Sequence, residues 1–231
     1  MRLDAIIFDV GNTLGPWRHE QGRAFMRALQ PAFEEALGPM PDFASRAAAA
    51  HERFKRERFH GSFREVTCAE FVEAVVGAPA PPGLPAAVEA SAHGAFLGQF
   101  EIPARVKPLL ERLGSRYRLG VLSNFFLTRP IVEALERAGI AGAFDHIEVS
   151  ATAGWMKPHP APFETVREKL RAPMERTLMV GDDFWADIVG GHRAGLLTAL
   201  TREHFRGPDR DARAPGIAAD RILERLDELE G

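Results

Sequence analysis

Apolar and polar positions follow two distinct rhythms along this 231-residue chain. Residues 3–14 open with an apolar run, Ala5-Ile6-Ile7-Phe8, that stops at Asp9 and enters a tight polar turn, Gly11-Asn12-Thr13. A short apolar run bounded by turn residues predicts a buried strand. From Pro16 to about Phe100 the pattern becomes helical, with helices predicted over 19–37, 42–60, 67–76 and 85–98. Thr67 followed three residues later by Glu70 is a capping-box arrangement and starts the third of these. The breakers Gly38-Pro39-Met40-Pro41 and Ala78-Pro79-Ala80-Pro81-Pro82-Gly83 separate the helices. No β-run interrupts this stretch.

Beyond Pro103 helical and strand patterns alternate. Helices are predicted at 103–115, 128–138, 160–170 and 185–194, and strands at 117–122, 144–149, 177–181 and 196–200, with a closing helix over 219–229. Alternation at this spacing predicts a parallel sheet with helices on both faces. The fold class is therefore α/β. A doubly wound, Rossmann-like parallel-sheet core is expected from residues 1–14 and 101–231, with an all-helical cap inserted over 15–100.

In such a sheet the strand carboxyl ends share one edge, and ligands bind there at the switch in strand order. Four polar groups are delivered to that edge. Asp9 follows the first run, and Ser123-Asn124 follows Leu119-Gly120-Val121-Leu122. Lys157-Pro158 lies past His146-Ile147-Glu148-Val149 and a glycine loop, and Asp182-Asp183 follows Leu178-Met179-Val180-Gly181. A carboxylate, a hydroxyl, an ammonium and a carboxylate pair on one edge suit a phosphoryl group held with a divalent metal. A helical insert on the same edge suits a lid.

Composition narrows the partners. Hydrophobic residues make up 45% and charged residues 26%, the balance of an ordinary globular protein with room for one large domain or one domain with a substantial insert. A formal charge of −3 gives no electrostatic reason to expect nucleic acid or an anionic membrane as partner. No apolar stretch approaches the roughly 18 residues of a membrane span, and no secretory leader is visible. The lone Cys68 excludes an intrachain disulfide and points to a reducing cytoplasm; it reads as an inert core residue. No zinc-type His/Cys spacing occurs.

Asp9-Val10-Gly11-Asn12-Thr13, Ser123-Asn124, Lys157-Pro158 and Gly181-Asp182-Asp183 followed by Asp187 resemble the four ordered motifs of the haloacid dehalogenase (HAD) superfamily. The helical insert resembles that family's C1-type cap, so the likeness covers essentially the whole chain. The resemblance implies that Asp9 is a nucleophile forming an aspartyl-phosphate. It implies that Ser123 and Asn124 bind phosphoryl oxygens and that Lys157 neutralises charge between them and Asp9. Mg2+ is the implied cofactor, ligated by Asp9, the Gly11 carbonyl, Asp182 and Asp183, with Asp187 supporting Lys157 or a metal-bound water. Asn12, Thr13 and Arg18 are expected on the substrate side, Arg18 because it directly follows the first motif. The implied substrate is a small phosphorylated metabolite, and the protein a monomer or homodimer.

One position departs from the family pattern. Phosphatases of this family usually carry a second Asp two residues after the nucleophile, as general acid; here that residue is Gly11. Metal ligation there needs only a carbonyl, but a proton donor worth roughly 10²–10⁴-fold is absent. Two alternatives to a phosphatase stay open on sequence: a catalytically impaired HAD-like module that binds phosphate ligands or a protein, and a 2-haloacid dehalogenase. Adjacent carboxylates in the fourth motif argue against the latter, since they repel a haloacid carboxylate unless a cation intervenes. The basic segment His51-Glu52-Arg53-Phe54-Lys55-Arg56-Glu57-Arg58 reads as a solvated helix face. Trp17, Phe25 and Trp185 read as packing residues and His159 as a surface histidine.

Overall fold

A computed structural model describes residues 3–59, 61–204 and 216–230, and the side chains of 58 and 59 lie outside that description. Six parallel strands form one sheet in the order β3-β2-β1-β4-β5-β6. They are β1 (Ala5–Phe8), β2 (Arg118–Ser123), β3 (His146–Val149), β4 (Thr177–Gly181), β5 (Leu197–Thr201) and β6 (Arg221–Leu223). Strand order reverses between β1 and β4, where a doubly wound sheet opens its crevice.

Every residue of β1 is fully buried, as a central strand covered on both faces requires. Its side chains alternate between layers. Ile6 and Phe8 join the large core cluster, while Ala5 and Ile7 pack with Phe163, Val166 and Leu170 on the other face. The second layer is thin because Gly120 brings β2 against a helix: a Cβ there would lie 3.0 Å from Val166 and Leu170. Register carries the chemistry. Phe8 stands opposite Val121 and Val180, so Asp9 emerges level with the ends of β2 and β4, and the Asp9 amide donates to the Val180 carbonyl at 2.9 Å.

Between β1 and the rest of the sheet lie α1 (His19–Leu37), α2 (Phe43–Phe59), α3 (Cys68–Val76) and α4 (Leu84–Leu97). The capping box at Thr67 and Glu70 is present, with the Glu70 amide donating to Thr67 Oγ1 at 3.2 Å and the Thr67 amide to Glu70 Oε2 at 2.9 Å. Cys68 is buried, and burial pushes its thiol up to about 12, so it stays protonated. The remaining helices are α5 (Val106–Gly114), α6 (Thr128–Arg137), α7 (Ser150–Ala153), α8 (Pro160–Leu170) and α9 (Gly190–Arg193). Among the described residues no helix is long and apolar enough to cross a membrane.

The chain passes between the helical segment and the sheet twice, at 14–18 and 99–102, and the passages touch. A Cβ on Gly15 would meet the Glu101 carbonyl at 2.7 Å and the Phe100 ring at 2.9 Å, so only glycine permits this approach. Gln21 clasps both passages, its Nε2 donating to the Gln99 carbonyl at 2.5 Å and the Pro16 carbonyl at 3.2 Å.

Two predicted elements differ. The expected helix over 185–194 starts as a π-helical turn, Phe184–Val189, before α9. The expected closing helix over 219–229 is instead β6 followed by a 3₁₀ helix, Leu226–Glu230. Leu223, Leu226 and Leu229 are all buried. Their spacing of three fits a 3₁₀ turn, and the free edge of β5 supplies a ladder that an amphipathic reading does not anticipate.

Candidate active site

At the carboxyl edge around the β1/β4 switch, the chain builds a cavity of about 200 Å³. Its floor is polar: Asp9, Asn12, Ser123, Asn124, Lys157, Asp182, Asp183 and Asp187 all line it. Residues far apart in sequence meet here. The Lys157 ammonium lies 2.8 Å from Asp9 Oδ1 and 2.7 Å from Asp187 Oδ1. It donates to Asp9 Oδ1 and to the Leu122 carbonyl, the latter at 2.6 Å. Lys157 is 3% exposed and Asp187 fully buried. Burial pulls the Lys157 pKa down, but the charges of Asp187 and Asp9 outweigh it, so the net shift is upward and the amine stays cationic. Burial also pushes the Asp187 carboxyl up, with Lys157 opposing and the Asp9 charge reinforcing.

Local backbone explains how each group is held. The turn after β1 closes through the Leu14 amide to the Val10 carbonyl at 2.9 Å and the Asn12 amide to the Gly15 carbonyl at 2.6 Å. Asn12 sits at φ 56°, a left-handed conformation that asparagine tolerates. Its Oδ1 accepts from the Trp17 amide at 2.8 Å. Asn124 clips the Lys157 loop to β2 from both sides: Nδ2 donates to the Lys157 carbonyl at 2.9 Å and Oδ1 accepts from the Lys157 amide at 2.8 Å. At the fourth strand end the π-turn folds Asp187 back over β4, where its Oδ2 accepts from the Asp183 amide at 3.0 Å. Only glycine at 181 allows this, because a Cβ there would lie 2.0 Å from Asp187 Oδ2.

One carboxylate oxygen each from Asp9, Asp182 and Asp187 lies within 4.8 Å of the other two, and all three residues are buried. This donor set is hard oxygen throughout, the chemistry of a magnesium rather than a zinc site. Asp187 shares its carboxylate between Lys157 and the Asp183 amide, and Asp9 shares its own between Lys157 and Thr13.

The other predicted site residues sort by what they touch. Ser123 is buried at the end of β2 and lines the cavity, as does Gly11. Thr13 is fully buried and is not among the lining residues; its Oγ1 donates to Asp9 Oδ2 at 3.3 Å, so it orients the carboxylate rather than meeting a substrate. Asp183 is exposed, and its Oδ1 accepts from the Trp185 and Ala186 amides at 2.9 Å each, capping the π-turn. Arg18 is exposed at the start of α1 and is not among the lining residues. In the basic segment Arg53 pairs with Glu57 and Lys55 with Glu52 on an exposed face.

The cavity's opposite wall is one that sequence reasoning missed. Trp17, Phe96, Phe100, Phe125 and Ile131 line it. The Phe96 ring stacks on Phe100 with centroids 4.9 Å apart and lies 5.2 Å from Trp17 and 4.9 Å from Phe125. The available signals were the i,i+4 spacing of Phe96 and Phe100 and the phenylalanine directly after Ser123-Asn124. Packing alone accounts for such residues, so neither signal singles them out. A buried link underlies this wall: the Phe125 amide donates to Ser150 Oγ at 2.9 Å, and Ser150 Oγ donates to Glu65 of the α2–α3 loop.

Comparison with known proteins bears on this geometry. A family model described as haloacid dehalogenase-like hydrolase matches residues 3–195. The pyrimidine 5'-nucleotidase YjjG of Escherichia coli K12 is 34% identical over 123 residues, so the match spans about half of each protein, 53% of this chain and 52% of that one. The ribulose-1,5-bisphosphate 5-phosphatase of Halopiger xanaduensis is 29% identical over 97% of both chains. Among solved structures, the magnesium-bound HAD-hydrolase YfnB of Bacillus subtilis superposes with a TM-score of 0.68 at 24% identity, covering 99% of this chain and 97% of that one.

Proposed function

Because the chain belongs to the haloacid dehalogenase-like hydrolases, we propose that it is a magnesium-dependent phosphatase that hydrolyses a small phosphomonoester through an aspartyl-phosphate on Asp9. The observation that carries this reading is the buried Asp9–Lys157–Asp187 bridge beside Asp182. It supplies a nucleophilic carboxylate, a fixed cation and a hard-oxygen cation site within one cavity. Phosphatase names among the relatives support the same chemistry, and magnesium in a structural neighbour supports the metal.

Asp9, Asp182 and the Gly11 carbonyl would hold the magnesium, which when bound offsets the negative charge of the phosphoryl oxygens. Asp9 Oδ2 attacks phosphorus while Lys157 holds Oδ1 and Thr13 fixes the carboxylate plane. The Ser123 hydroxyl and the amides following β2 hydrogen-bond the phosphoryl oxygens. Asp187 holds Lys157 in place. Residues 15–100 act as a cap over a core of 1–14 and 101–231, hinged where Gly15 meets Glu101, and exclude bulk water during transfer.

Position 11 favours one second reading, a phosphate-ligand binder with slow turnover, since no side chain there protonates a leaving group. Carbon–halogen cleavage needs no metal, and the trio Asp9, Asp182 and Asp187 would repel a haloacid carboxylate. Phosphate release from aryl, sugar and nucleotide monophosphates, with magnesium and with chelator, tests all three. Magnesium-dependent turnover abolished by Asp9→Asn is the expected result. Saturable phosphate binding without turnover, or metal-independent halide release from a haloacid, defeats it.

A further inference from the structure

Three features of the cavity bear on what leaves when phosphorus is attacked. Part of the wall is aromatic, formed by Trp17, Phe96, Phe100 and Phe125. Among the described lining residues Lys157 is the one cation, and it is already paired with Asp9 and Asp187 and donates to the Leu122 carbonyl. A second phosphate or carboxylate on the substrate would meet no counter-charge and would face Asp183, exposed on the lining. A polyhydroxylated leaving group would set its hydroxyls against four rings whose one hydrogen-bonding group is the Trp17 indole N–H.

Gly11 is the third feature. A Cβ there meets nothing nearer than the Trp17 Cβ at 3.7 Å, so space does not impose glycine. The position where a proton donor would stand is adjacent to the aromatic wall and carries none. A leaving group seated on that wall must depart as an anion. Phenols lose a proton near pH 10, roughly like tyrosine, whereas a simple alcohol resembles water, at about 15.7.

Resting on the phosphatase reading, we propose that the preferred substrate is an aryl phosphomonoester, one aromatic ring bearing phosphate on a phenolic oxygen. A benzene ring fits a cavity of about 150 Å³, so about 200 Å³ has room for one ring beside the phosphoryl group. Asp9 forms a new P–O bond as the bond from phosphorus to the phenolic oxygen breaks. The electron pair stays on that oxygen, and the phenolate takes its proton from solvent. Water then attacks phosphorus, the bond to Asp9 breaks, and dihydrogen phosphate leaves as the carboxylate is restored. The ring lies against Trp17 and Phe96 in offset or edge contact, adding up to about tenfold in affinity beyond area burial.

The test compares phenyl phosphate, acetyl phosphate and glycerol 3-phosphate on the full chain with magnesium. Acetyl phosphate has a good leaving group and no ring; glycerol 3-phosphate has a poor leaving group and hydroxyls. Phenyl phosphate is expected to exceed glycerol 3-phosphate by about 100-fold or more in kcat/KM and to have a KM about tenfold below that of acetyl phosphate. Trp17→Leu should lower the phenyl-to-acetyl ratio of kcat/KM about tenfold, with Phe100→Leu as a second variant if the first melts early. Gly11→Asp should raise glycerol 3-phosphate turnover by about tenfold or more. Equal kcat/KM for glycerol 3-phosphate and phenyl phosphate overturns the substrate class and leaves the phosphatase reading standing. An acetyl phosphate KM at or below that of phenyl phosphate overturns ring recognition. No phosphate from any of the three overturns the phosphatase reading itself.

Discussion

On the sheet side of the cavity the lining is polar, and its central groups form one hydrogen-bonded assembly: Lys157 between Asp9 and Asp187, and Asn124 clasping the Lys157 backbone. The roof of the cavity is Trp17, Phe96, Phe100 and Phe125, whose side chains meet through ring contacts. The floor depends on the identity of single groups, because a buried charge that loses its partner keeps its full desolvation penalty. The roof depends on summed contact area, in which one apolar group substitutes for another at modest loss. On the proposed reading, reaction chemistry falls where substitution is least tolerated and selectivity where it is most tolerated.

That contrast is most exposed at Lys157. Lys157→Met leaves Asp9 and Asp187 facing each other without a cation in a buried site. In chelator, thermal or denaturant unfolding should show a loss of about 3–5 kcal/mol. Phosphate release with magnesium should fall about 10³-fold, as expected when a fixed charge is withdrawn from a transferring phosphoryl group. A roof substitution, Phe100→Leu, should lower turnover less than about tenfold although it removes more side-chain atoms. Comparable damage from the two would break the distinction.

Gly181 probes the floor through backbone space. The Asp187 carboxylate occupies the volume that a Cβ at 181 would fill. Gly181→Ala therefore has to displace Asp187, losing its contacts with Lys157 and with the Asp183 amide. Turnover is expected to fall about 100-fold, matching Asp187→Asn within a few-fold, if Asp187 acts by fixing the ammonium. A Gly181→Ala enzyme of full activity would show that Asp187 is dispensable to it. Thr13→Val is gentler: it removes a 3.3 Å bond to Asp9 and nothing at the cavity surface. A loss of about tenfold in kcat/KM is expected, the worth of one hydrogen bond to a charged group.

The same division governs what could be read from residue order. Asp9, Ser123, Lys157 and Asp182 were legible because each ends or follows an apolar run, and parallel strands bring such ends to one edge. The helix over 19–37 was legible to its ends. Asp183 and Asp187 were harder to rank. Both follow β4 closely, and only the π-turn, with the Gly181 cavity beneath it, directs Asp187 inward and leaves Asp183 capping a helix. Thr13, the last residue of the first motif, and Arg18, which follows that motif, were read as facing a substrate. A turn after a strand points successive side chains to different sides, and sequence adjacency does not say which. The aromatic wall was illegible for another reason: a phenylalanine on a cavity and one in a core obey the same periodicity, and the wall forms only when α4, the β1 turn and the β2 loop converge.

The smallest expected effect lies away from the cavity lining, where Arg64 of the α2–α3 loop pairs with the capping-box Glu70 in the first turn of α3. The Arg64 bond, opposed by burial and aided by Thr67, holds the Glu70 carboxyl at about 2, well below its ordinary 4.5. A carboxyl depressed in the folded state adds stability above its unfolded pKa and loses it as pH falls toward the folded value. The contribution is thus complete above about pH 5 and fades between 4.5 and about 2. Both side chains are substantially exposed, so solvent screening keeps it under about 1 kcal/mol. Glu70→Gln retains a side chain able to close the capping box and removes only the charge. Urea unfolding should show the variant less stable at pH 7, with the gap narrowing as pH drops from 4.5 to 3 and phosphate release unchanged throughout. A gap that stays constant with pH would assign the effect to the cap's hydrogen bonds, and a change in turnover would show that this loop reaches the floor through the Glu65–Ser150–Phe125 link.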